Sequence, residues 1–427
     1  MLPGRADRGQ KQGGFMHYSN KLLPERAHPG HLKDQARDLM QAHRRNESEA
    51  LRRIADFHPQ PEEVGVKLPL HEALLVVARE YGFVSWPRLK AALELGSESL
   101  TALREAIDAD DAGRVTVLLE REPALVDQYV TRGENILYYQ RPLTYAAQRG
   151  RVEIVKLLLE AGADMTADGN MAVARGAMHD ARLPILDLFH ERGLDVNCQV
   201  YYWGPLITYP AECQSPKVLQ WLLERGADPN LRLADTKCTM SGWEVLISDY
   251  DRTNRFHDCV NIMLAHGAKH EGGPEIDLYR GDFAAFARRV QAEPGLARQR
   301  FANIRGANLP LEGATLLHLC AEWNFVEAAE TLLPAGADVN ARAPVNAEGF
   351  GGQTPLFHTV NSIHEWNVPM LEWLLRNGAE VNSRVSVSWV GQEFRDVTPL
   401  QYARLAQRHT AQYERVAAIL KTYGAEE

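Results

Sequence analysis

Apolar residues recur at helical spacing through most of the chain. Two clear examples are Val152, Val155, Leu158, Leu159 and Val218, Leu219, Leu222, Leu223. Residues three and four positions apart share one face of an α-helix, so each set predicts an amphipathic helix. A single apolar stripe on each helix indicates that every helix must pack against a neighbour.

Many of the predicted helices end in the same signature, Gly-Ala-Asp-x-Asn or a variant of it. Its glycines stand at positions 162, 193, 226, 267, 336, 378 and 424. Glycine suits the left-handed residue that ends a helix, and Asp and Asn favour a turn by bonding their own backbone. Two further copies, which begin near Leu103 and Asp277, carry Glu-Pro in place of the signature. About nine units are therefore predicted.

A second signature precedes several of the helix pairs. Pro142, Pro355 and Pro399 are expected just inside a helix start, where a missing N–H does no harm. Thr354 and Thr398 come directly before two of these prolines and are expected to cap the free amides of the first turn.

The segment Thr315-Leu316-Leu317-His318 and the repeated Gly-Ala-Asp-x-Asn endings resemble the ankyrin repeat family, whose period is about 33 residues with a T-P-L-H-x-A start. The resemblance covers roughly residues 100 to 427. It implies an all-α ankyrin-repeat solenoid of about nine helix-turn-helix units with hairpin-like fingers, in which each unit buries its apolar face against the next. It also implies that His318 joins adjacent repeats by hydrogen bonds. The extended connections 301–313, 341–353 and 383–397 are expected to be long fingers.

The first hundred residues do not repeat. Four helices are predicted there, over residues 31–44, 47–57, 70–81 and 86–95. The string from Ala78 to Lys90 resembles the helical module that precedes ankyrin repeats in many bacterial proteins. The predicted organisation is a disordered tail over 1–20, a small N-terminal helical cap over 21–98 and the ankyrin repeat array over 99–427.

Charge and cysteine content restrict the class of partner and the compartment. The 47 basic and 56 acidic residues give a net charge of −9, which argues against a grip on nucleic acid or on an anionic membrane. The five cysteines are widely spaced and form no CxxC pair, which favours free thiols in a reducing cytosol. No apolar run is long enough for a membrane helix. We expect a cytoplasmic monomer.

The sequence carries no motif of a known catalytic or cofactor-binding site. His28 with His31 and His266 with His270 are the closest histidine pairs, but a glycine inside each pair breaks the helical face that would align them as ligands. No catalytic residue, metal site or cofactor is therefore predicted.

Aromatic residues recur in the connections between repeats. They are Tyr138, Tyr139, Tyr201, Tyr202, Trp203, Phe350, Trp389 and Phe394. Aromatic anchors beside polar residues are typical of binding hot spots, so these residues are candidates for contact with a partner. The alternative is that they pack finger against finger and stiffen long loops.

Two functions remain open. The resemblance implies a non-enzymatic scaffold that binds another protein or peptide through the concave face and fingers. The alternative is an enzyme or small-ligand protein with its site in the concave groove, which requires polar residues from several repeats to converge in one cleft.

Overall fold

A computed structural model gives the fold, which is mostly helical with a few short strands. It describes residues 29–65, 67–81, 83, 85–93, 98–131, 140–201, 203–234, 239–248, 253–270, 272–302, 304, 309–360, 367–389, 392–406 and 411–426. The expected tail over 1–20 lies outside these residues. The described residues form two compact units, named here the N-terminal unit (29–177 and 181–195) and the C-terminal unit (178–180 and 196–426).

The N-terminal unit begins with the four predicted helices, each within two residues of its expected ends. They are α1 Pro29–Arg44, α2 Ser48–Phe57, α3 Leu70–Glu80 and α4 Trp86–Leu93. Leu39, Val76 and Leu89 are fully buried in one apolar cluster that these helices share. Arg53 donates to the buried carboxylate of Glu80 and so links α2 to α3. The four helices therefore share one core, to which Tyr129 also belongs.

Helices of the remaining N-terminal unit follow in pairs. They are α5 Glu98–Asp108, α6 Ala112–Arg121, α7 Pro142–Arg149, α8 Val152–Glu160, α9 Ala167–Ala177 and α10 Leu183–His190. In α8 the predicted Val155, Leu158 and Leu159 are buried, while Val152 is half-buried and Ile154, outside the predicted set, is fully buried. The first and second helices of each pair thus bury one face each.

The C-terminal unit continues the same alternation. Its helices are α11 Thr208–Glu212, α12 Pro216–Glu224, α13 Gly242–Ser248, α14 Phe256–Ala265, α15 Pro274–Tyr279, α16 Phe283–Ala292, α17 Leu316–Trp323, α18 Val326–Leu332, α19 Val368–Arg376, α20 Pro399–Ala406 and α21 Ala411–Thr422. A 3₁₀ helix, Pro355–Thr359, takes the place of the first helix before α19. There Thr359 Oγ1 donates to Leu356 O at 2.8 Å, a local bond that competes with α-helical pairing.

The repeated glycine ends its helix in a left-handed conformation, as predicted. The seven glycines have φ between 84° and 95°. A Cβ added to Gly162 or Gly226 would meet no atom within 4 Å, so backbone conformation rather than space selects glycine. After Gly162, Ala163 N donates to Leu158 O at 2.9 Å, which closes the helix end.

Where the signature contains its Asn, that side chain joins the repeat to the next. Asn230 Nδ2 donates to Gly267 O at 2.9 Å, and Asn230 Oδ1 accepts from Lys269 N at 2.7 Å. The same pair of bonds recurs from Asn197, Asn340 and Asn382. The local turn is made by the preceding Asp instead, since Asp228 Oδ1 accepts from Asn230 N at 2.8 Å. The predicted turn role is therefore correct for Asp and wrong for Asn.

The two copies without the signature share a different ending. A 3₁₀ helix follows the second helix in each, over Pro123–Asp127 and Pro294–Ala297. Each second helix starts with an Asp cap: Asp111 accepts from Arg114 N and Asp282 from Ala285 N, both at 2.8 Å. Other 3₁₀ helices lie at Pro61–Glu63 and Asp180–Arg182.

The threonine caps are only half confirmed. Thr398 Oγ1 accepts from Gln401 N at 3.2 Å, as predicted. Thr354 makes no such bond, and its Oγ1 is buried without a hydrogen-bond partner. The prediction for Thr354 is wrong because the Phe357 N–H, which a cap would use as its donor, bonds Thr354 O at 3.0 Å instead.

Short antiparallel hairpins form the fingers of the C-terminal unit. The strands are β1 Gln199–Val200 with β2 Gly204–Pro205, β3 Arg300–Phe301 with β4 Ala314–Thr315, and β5 Val385–Trp389 with β6 Gln392–Val397. Between the hairpins β3–β4 and β5–β6, residues 342–353 form a further finger. Its Gly351 forms an isolated bridge with Ser386 of β5. Long fingers are thus confirmed over 341–353 and 383–397, while part of 301–313 lies outside the described residues.

Candidate functional site

The structure divides the eight predicted contact residues into three groups. Tyr138, Tyr139 and Tyr202 lie outside the described residues, and of Trp389 only the backbone, in β5, is described. Tyr201 and Trp203 are partly exposed in the turn of the first finger, where Tyr201 has φ of 51° and Trp203 N donates to Val200 O at 3.0 Å. Phe350 and Phe394 are buried, with 8% and 6% of their surface exposed.

Phe350 and Phe394 stiffen the fingers from inside. The Phe394 ring packs edge-on against Tyr402 of α20, with centroids 5.3 Å apart. The Arg395 guanidinium lies 4.4 Å from the centroid of the Phe350 ring, within cation–π range. These contacts leave the two rings little surface for a partner. The contact of Phe350 fits the alternative of finger packing against finger, whereas Phe394 packs against a helix.

Three exposed arginines follow the bases of successive fingers. Arg300 Nη1 donates to Gly313 O at 3.0 Å and Nη2 to Arg342 O at 2.8 Å. Arg342 Nη1 in turn donates to Arg384 O at 3.3 Å. Arg384 Nη1 donates to Asp396 O at 2.7 Å and Oδ2 at 3.1 Å. We call Arg300, Arg342 and Arg384 the finger arginines.

Sequence reasoning missed the finger arginines, although a signal for them exists. Each stands two residues after the position that closes a repeat, in Arg298-Gln299-Arg300, Asn340-Ala341-Arg342 and Asn382-Ser383-Arg384. Arg298 itself acts as the Asn does elsewhere, since its Nε donates to Gly336 O at 2.7 Å. The finger arginines therefore occupy one register position of three consecutive repeats.

A polar network occupies the same register position in the N-terminal unit. Asp168 Oδ1 accepts from Tyr129 Oη and from Arg88 Nη1, both at 2.9 Å, and Asp168 Oδ2 accepts from Arg141 Nε at 3.2 Å. Arg141 Nη1 also pairs with Asp127 at 3.0 Å. We call Arg88, Tyr129, Arg141 and Asp168 the Asp168 network. It joins side chains from four separate segments of one unit.

Burial dominates the electrostatics of the Asp168 network. Burial raises the pKa of the Asp168 carboxyl, although Arg88 works in the opposite direction. Burial and the Asp168 charge raise the pKa of Tyr129, which therefore stays a hydroxyl donor. Asp168, Gly169 and Asn170 all have left-handed φ, of 55°, 66° and 64°, so the backbone is strained where the carboxylate turns inward.

A second buried polar cluster lies between α17 and the 3₁₀ helix of the C-terminal unit. His318 Nε2 donates to Gln353 O of the next repeat at 3.1 Å, which confirms the expected link between repeats. Its Nδ1 is then the acceptor for Thr315 Oγ1 at 2.8 Å. Burial lowers the pKa of His318 to about 3, and the neighbouring His358 is a second, smaller cause of this decrease. His358 Nδ1 donates to Glu322 Oε2 at 2.7 Å, and both side chains have no exposed surface.

Among the described residues, a cavity lies outside the fingers. It has a volume of about 390 Å³ and lies between α18, α19 and α21, which are second helices of their pairs. Trp373 forms part of its wall, and Glu330, Glu372, Arg376 and Arg415 surround it. Acidic and basic groups alternate there, and neither buried polar network contributes a residue.

Within the described ranges, no group of three or more His, Cys, Asp or Glu side chains is placed to hold a metal ion. Among the same residues, no helix combines the length and the apolar character that crossing a bilayer requires.

Comparisons with known proteins identify the repeats in two stretches of the chain. A family model described as "Ankyrin repeats (3 copies)" matches residues 143–232, and one described as "Ankyrin repeat" matches residues 312–344. The curated "Ankyrin repeat protein nuc-2" of Neurospora crassa is 40% identical over 97 residues. That match covers 21% of this chain and 9% of the relative, so the similarity concerns a small part of that protein.

Proposed function

The chain is an ankyrin-repeat protein, and from that premise we propose that it is a non-enzymatic protein that binds another protein or peptide. Ankyrin repeats generally mediate protein–protein interaction. We assign the binding surface to the fingers and adjoining first helices of the C-terminal unit. The observation that carries this assignment is the row of exposed finger arginines, which orders successive fingers while leaving charged side chains at the surface.

We propose further that the array contains nine repeats and that α1–α4 cap its first repeat. Nine successive pairs of helical segments, from α5 with α6 to α20 with α21, support the count when the 3₁₀ helix Pro355–Thr359 is taken as a first helix. The apolar cluster that α1–α4 share with Tyr129 supports the cap, because a terminal unit must cover an apolar end.

We also propose a monomer that works in a reducing, cytoplasmic compartment without nucleic acid or membrane. Cys198, Cys213, Cys259 and Cys320 are free thiols. Burial raises the pKa of Cys259 to about 12, so this thiol stays protonated and inert at neutral pH. The net charge of −9 disfavours polyanionic surfaces.

Affinity capture with the full chain tests the proposal. Partners recovered from cells of the source organism are quantified by mass spectrometry for the wild type and for the Trp203→Ala, Trp389→Ala double variant. We expect the double variant to lose the main partner, because Trp203 and Trp389 both belong to fingers. The matched control is Val117→Ala with Tyr423→Ala, two exposed apolar residues outside the fingers. Loss with the control and retention with the finger variant would contradict the proposed surface.

A further inference from the structure

The finger arginines have the chemistry of a recognition site for carboxylates. We infer that Arg300, Arg342 and Arg384 bind an extended, acidic segment of a partner protein. This inference rests on the proposed function, since it names the kind of partner that the fingers would take.

The guanidinium groups are held in place and still have donors to offer. A guanidinium has five N–H donors; Arg300 spends two on Gly313 O and Arg342 O, and Arg342 spends one on Arg384 O. Because these bonds already restrict the side chains, binding a ligand would cost less conformational entropy. Donors that remain in a rigid planar fork match a carboxylate well.

The positive charge of the row is largely uncompensated. Neither Arg300 nor Arg342 contacts a carboxylate of the described residues, and Arg384 pairs with Asp396 while half of its side chain stays exposed. Glu312 lies in the finger of Arg300 and Glu348 in the finger of Arg342. Both are exposed, yet neither forms an ion pair with a finger arginine. Arg300 and Arg342 therefore offer two charges that an incoming carboxylate can neutralise.

The expected shape of the partner follows from the linear row of finger arginines. Arg300 reaches the backbone of Arg342, and Arg342 reaches the backbone of Arg384, so the three charges succeed one another along a line rather than surrounding a pocket. An extended chain places side chains of one face about 7 Å apart, which suits a linear row of charges. A peptide with acidic residues at alternate positions is the simplest ligand of this kind.

The surrounding charge favours a peptide over a nucleic acid. Residues 271–427 contain 14 basic and 19 acidic residues, a net charge of −5. Nucleic acid carries a phosphate at every nucleotide and would meet these carboxylates on either side of the row. A short peptide needs to complement only the arginines themselves.

Fluorescence anisotropy with the full chain tests the inference. The probe is a labelled peptide of alternating Glu and Ser, compared with alternating Lys and Ser and with labelled oligouridylate. We expect the Glu-Ser peptide to bind at low salt and to lose affinity as salt rises. The Arg300→Gln, Arg342→Gln double variant should bind it about tenfold more weakly. The Arg300→Lys, Arg342→Lys variant should bind with an affinity between those of the wild type and the Gln variant, because it keeps the charge but loses the planar fork.

The control removes two exposed arginines of the same unit outside the fingers, in Arg280→Gln with Arg376→Gln, and should leave binding unchanged. Equal binding by the finger and control variants, or no binding by the wild type, would overturn the inference. Oligouridylate binding with the same dependence on Arg300 and Arg342 would overturn it in favour of nucleic acid. If these results occur while cellular partners still depend on Trp203 and Trp389, the proposed function stands without this inference.

Discussion

Two residues after the end of a repeat, the two units place side chains of opposite character. In the N-terminal unit this position holds Tyr129 and then Asp168, which bond each other in the interior. In three consecutive repeats of the C-terminal unit it holds the exposed Arg300, Arg342 and Arg384, and the first two of them bond the backbone of the next. The comparison shows that one register position can either lock repeats together from inside or order them from outside.

The length of the connection distinguishes Asp168 from the finger arginines, although Tyr129 is also followed by a long connection, across which Val130 N donates to Gln140 O at 2.8 Å. Asp168 already lies in the first turn of α9, as the first of three left-handed residues, so no hairpin stands between it and the helix. After Arg342 and Arg384 the chain forms a finger before the next helical segment begins. A finger moves the register position to the edge of the unit, where a charged side chain needs no buried partner.

The largest effect is expected from removing the carboxylate of the Asp168 network. Asp168→Ala leaves the hydroxyl of Tyr129 and the guanidinium of Arg141 without their acceptor at a half-buried site, and it places Ala at φ of 55°. We expect a loss of about 3 kcal/mol in the free energy of unfolding, measured with urea.

Asp396→Ala is the matched control for this variant. Asp396 also has a left-handed φ, of 50°, and also pairs with an arginine, but its side chain is 77% exposed. Its loss should cost less than about 1 kcal/mol. Equal losses for Asp168→Ala and Asp396→Ala would mean that the left-handed backbone common to both positions sets the cost, and that burial of the network adds nothing to it.

The next largest effect is expected from acid, which should destabilise the C-terminal unit more than the N-terminal unit. His318 stays neutral in the folded protein because its pKa lies at about 3, whereas the unfolded chain takes up a proton near pH 6.5. Stability from this group is therefore complete above pH 6.5 and is lost as pH falls. Between pH 7 and pH 5 the loss should be about 2 kcal/mol. As the pH falls, hydrogen exchange should become faster in α17 before it does in α7. Arg141 of the Asp168 network directly precedes α7, and that network contains no histidine.

His318→Gln should reduce this pH dependence without removing the cap. Gln401 stands at the equivalent position of the last repeat, where its Oε1 accepts from Thr398 N at 3.1 Å. His266→Gln is the control, since His266 is exposed directly after the end of α14. If His318→Gln and His266→Gln change the urea midpoints at pH 5 and pH 7 by the same amount, the buried imidazole is not the sensor.

Two threonines allow a sharper test of buried polar groups within the C-terminal unit. Thr315 Oγ1 contacts His318 Nδ1 at 2.8 Å, while Thr354 Oγ1 is buried with no partner. Thr315→Val should destabilise the protein by about 1 kcal/mol, and Thr354→Val should stabilise it by a similar amount. Thermal unfolding of the two variants measures both. A loss with Thr354→Val would show that its hydroxyl has a partner such as a bound water.

The features predicted from sequence are those that repeat. The helix ends at Gly162 and Gly226 follow from local backbone chemistry, and the link from His318 follows from a pattern shared by the family. Each needs only neighbouring residues or one period to be recognised. The same holds for the helices of the first hundred residues, which follow from apolar spacing alone.

The features that sequence reasoning missed depend on distant segments or on exposure. Arg88, Tyr129 and Asp168 have no common spacing, so only the fold shows that they meet. Phe350 and Phe394 were singled out because aromatics are common in binding sites, but their burial depends on how the fingers pack. The finger arginines did recur at 42-residue spacing, from 300 to 342 to 384, and a search for charged residues at fixed register would have found them.

The smallest change in stability is expected for a finger arginine. Arg342→Ala removes one exposed bond to Arg384 O and should lower the free energy of unfolding by less than about 0.5 kcal/mol. Arg141→Ala, in the N-terminal unit, removes a side chain that is 16% exposed and pairs with Asp127 and Asp168. Its cost should be about 2 kcal/mol. Urea titration compares the two directly. If Arg342→Ala costs as much as Arg141→Ala, the finger arginines hold the repeats together as the Asp168 network does, and their exposure would then have no need of a partner to explain it.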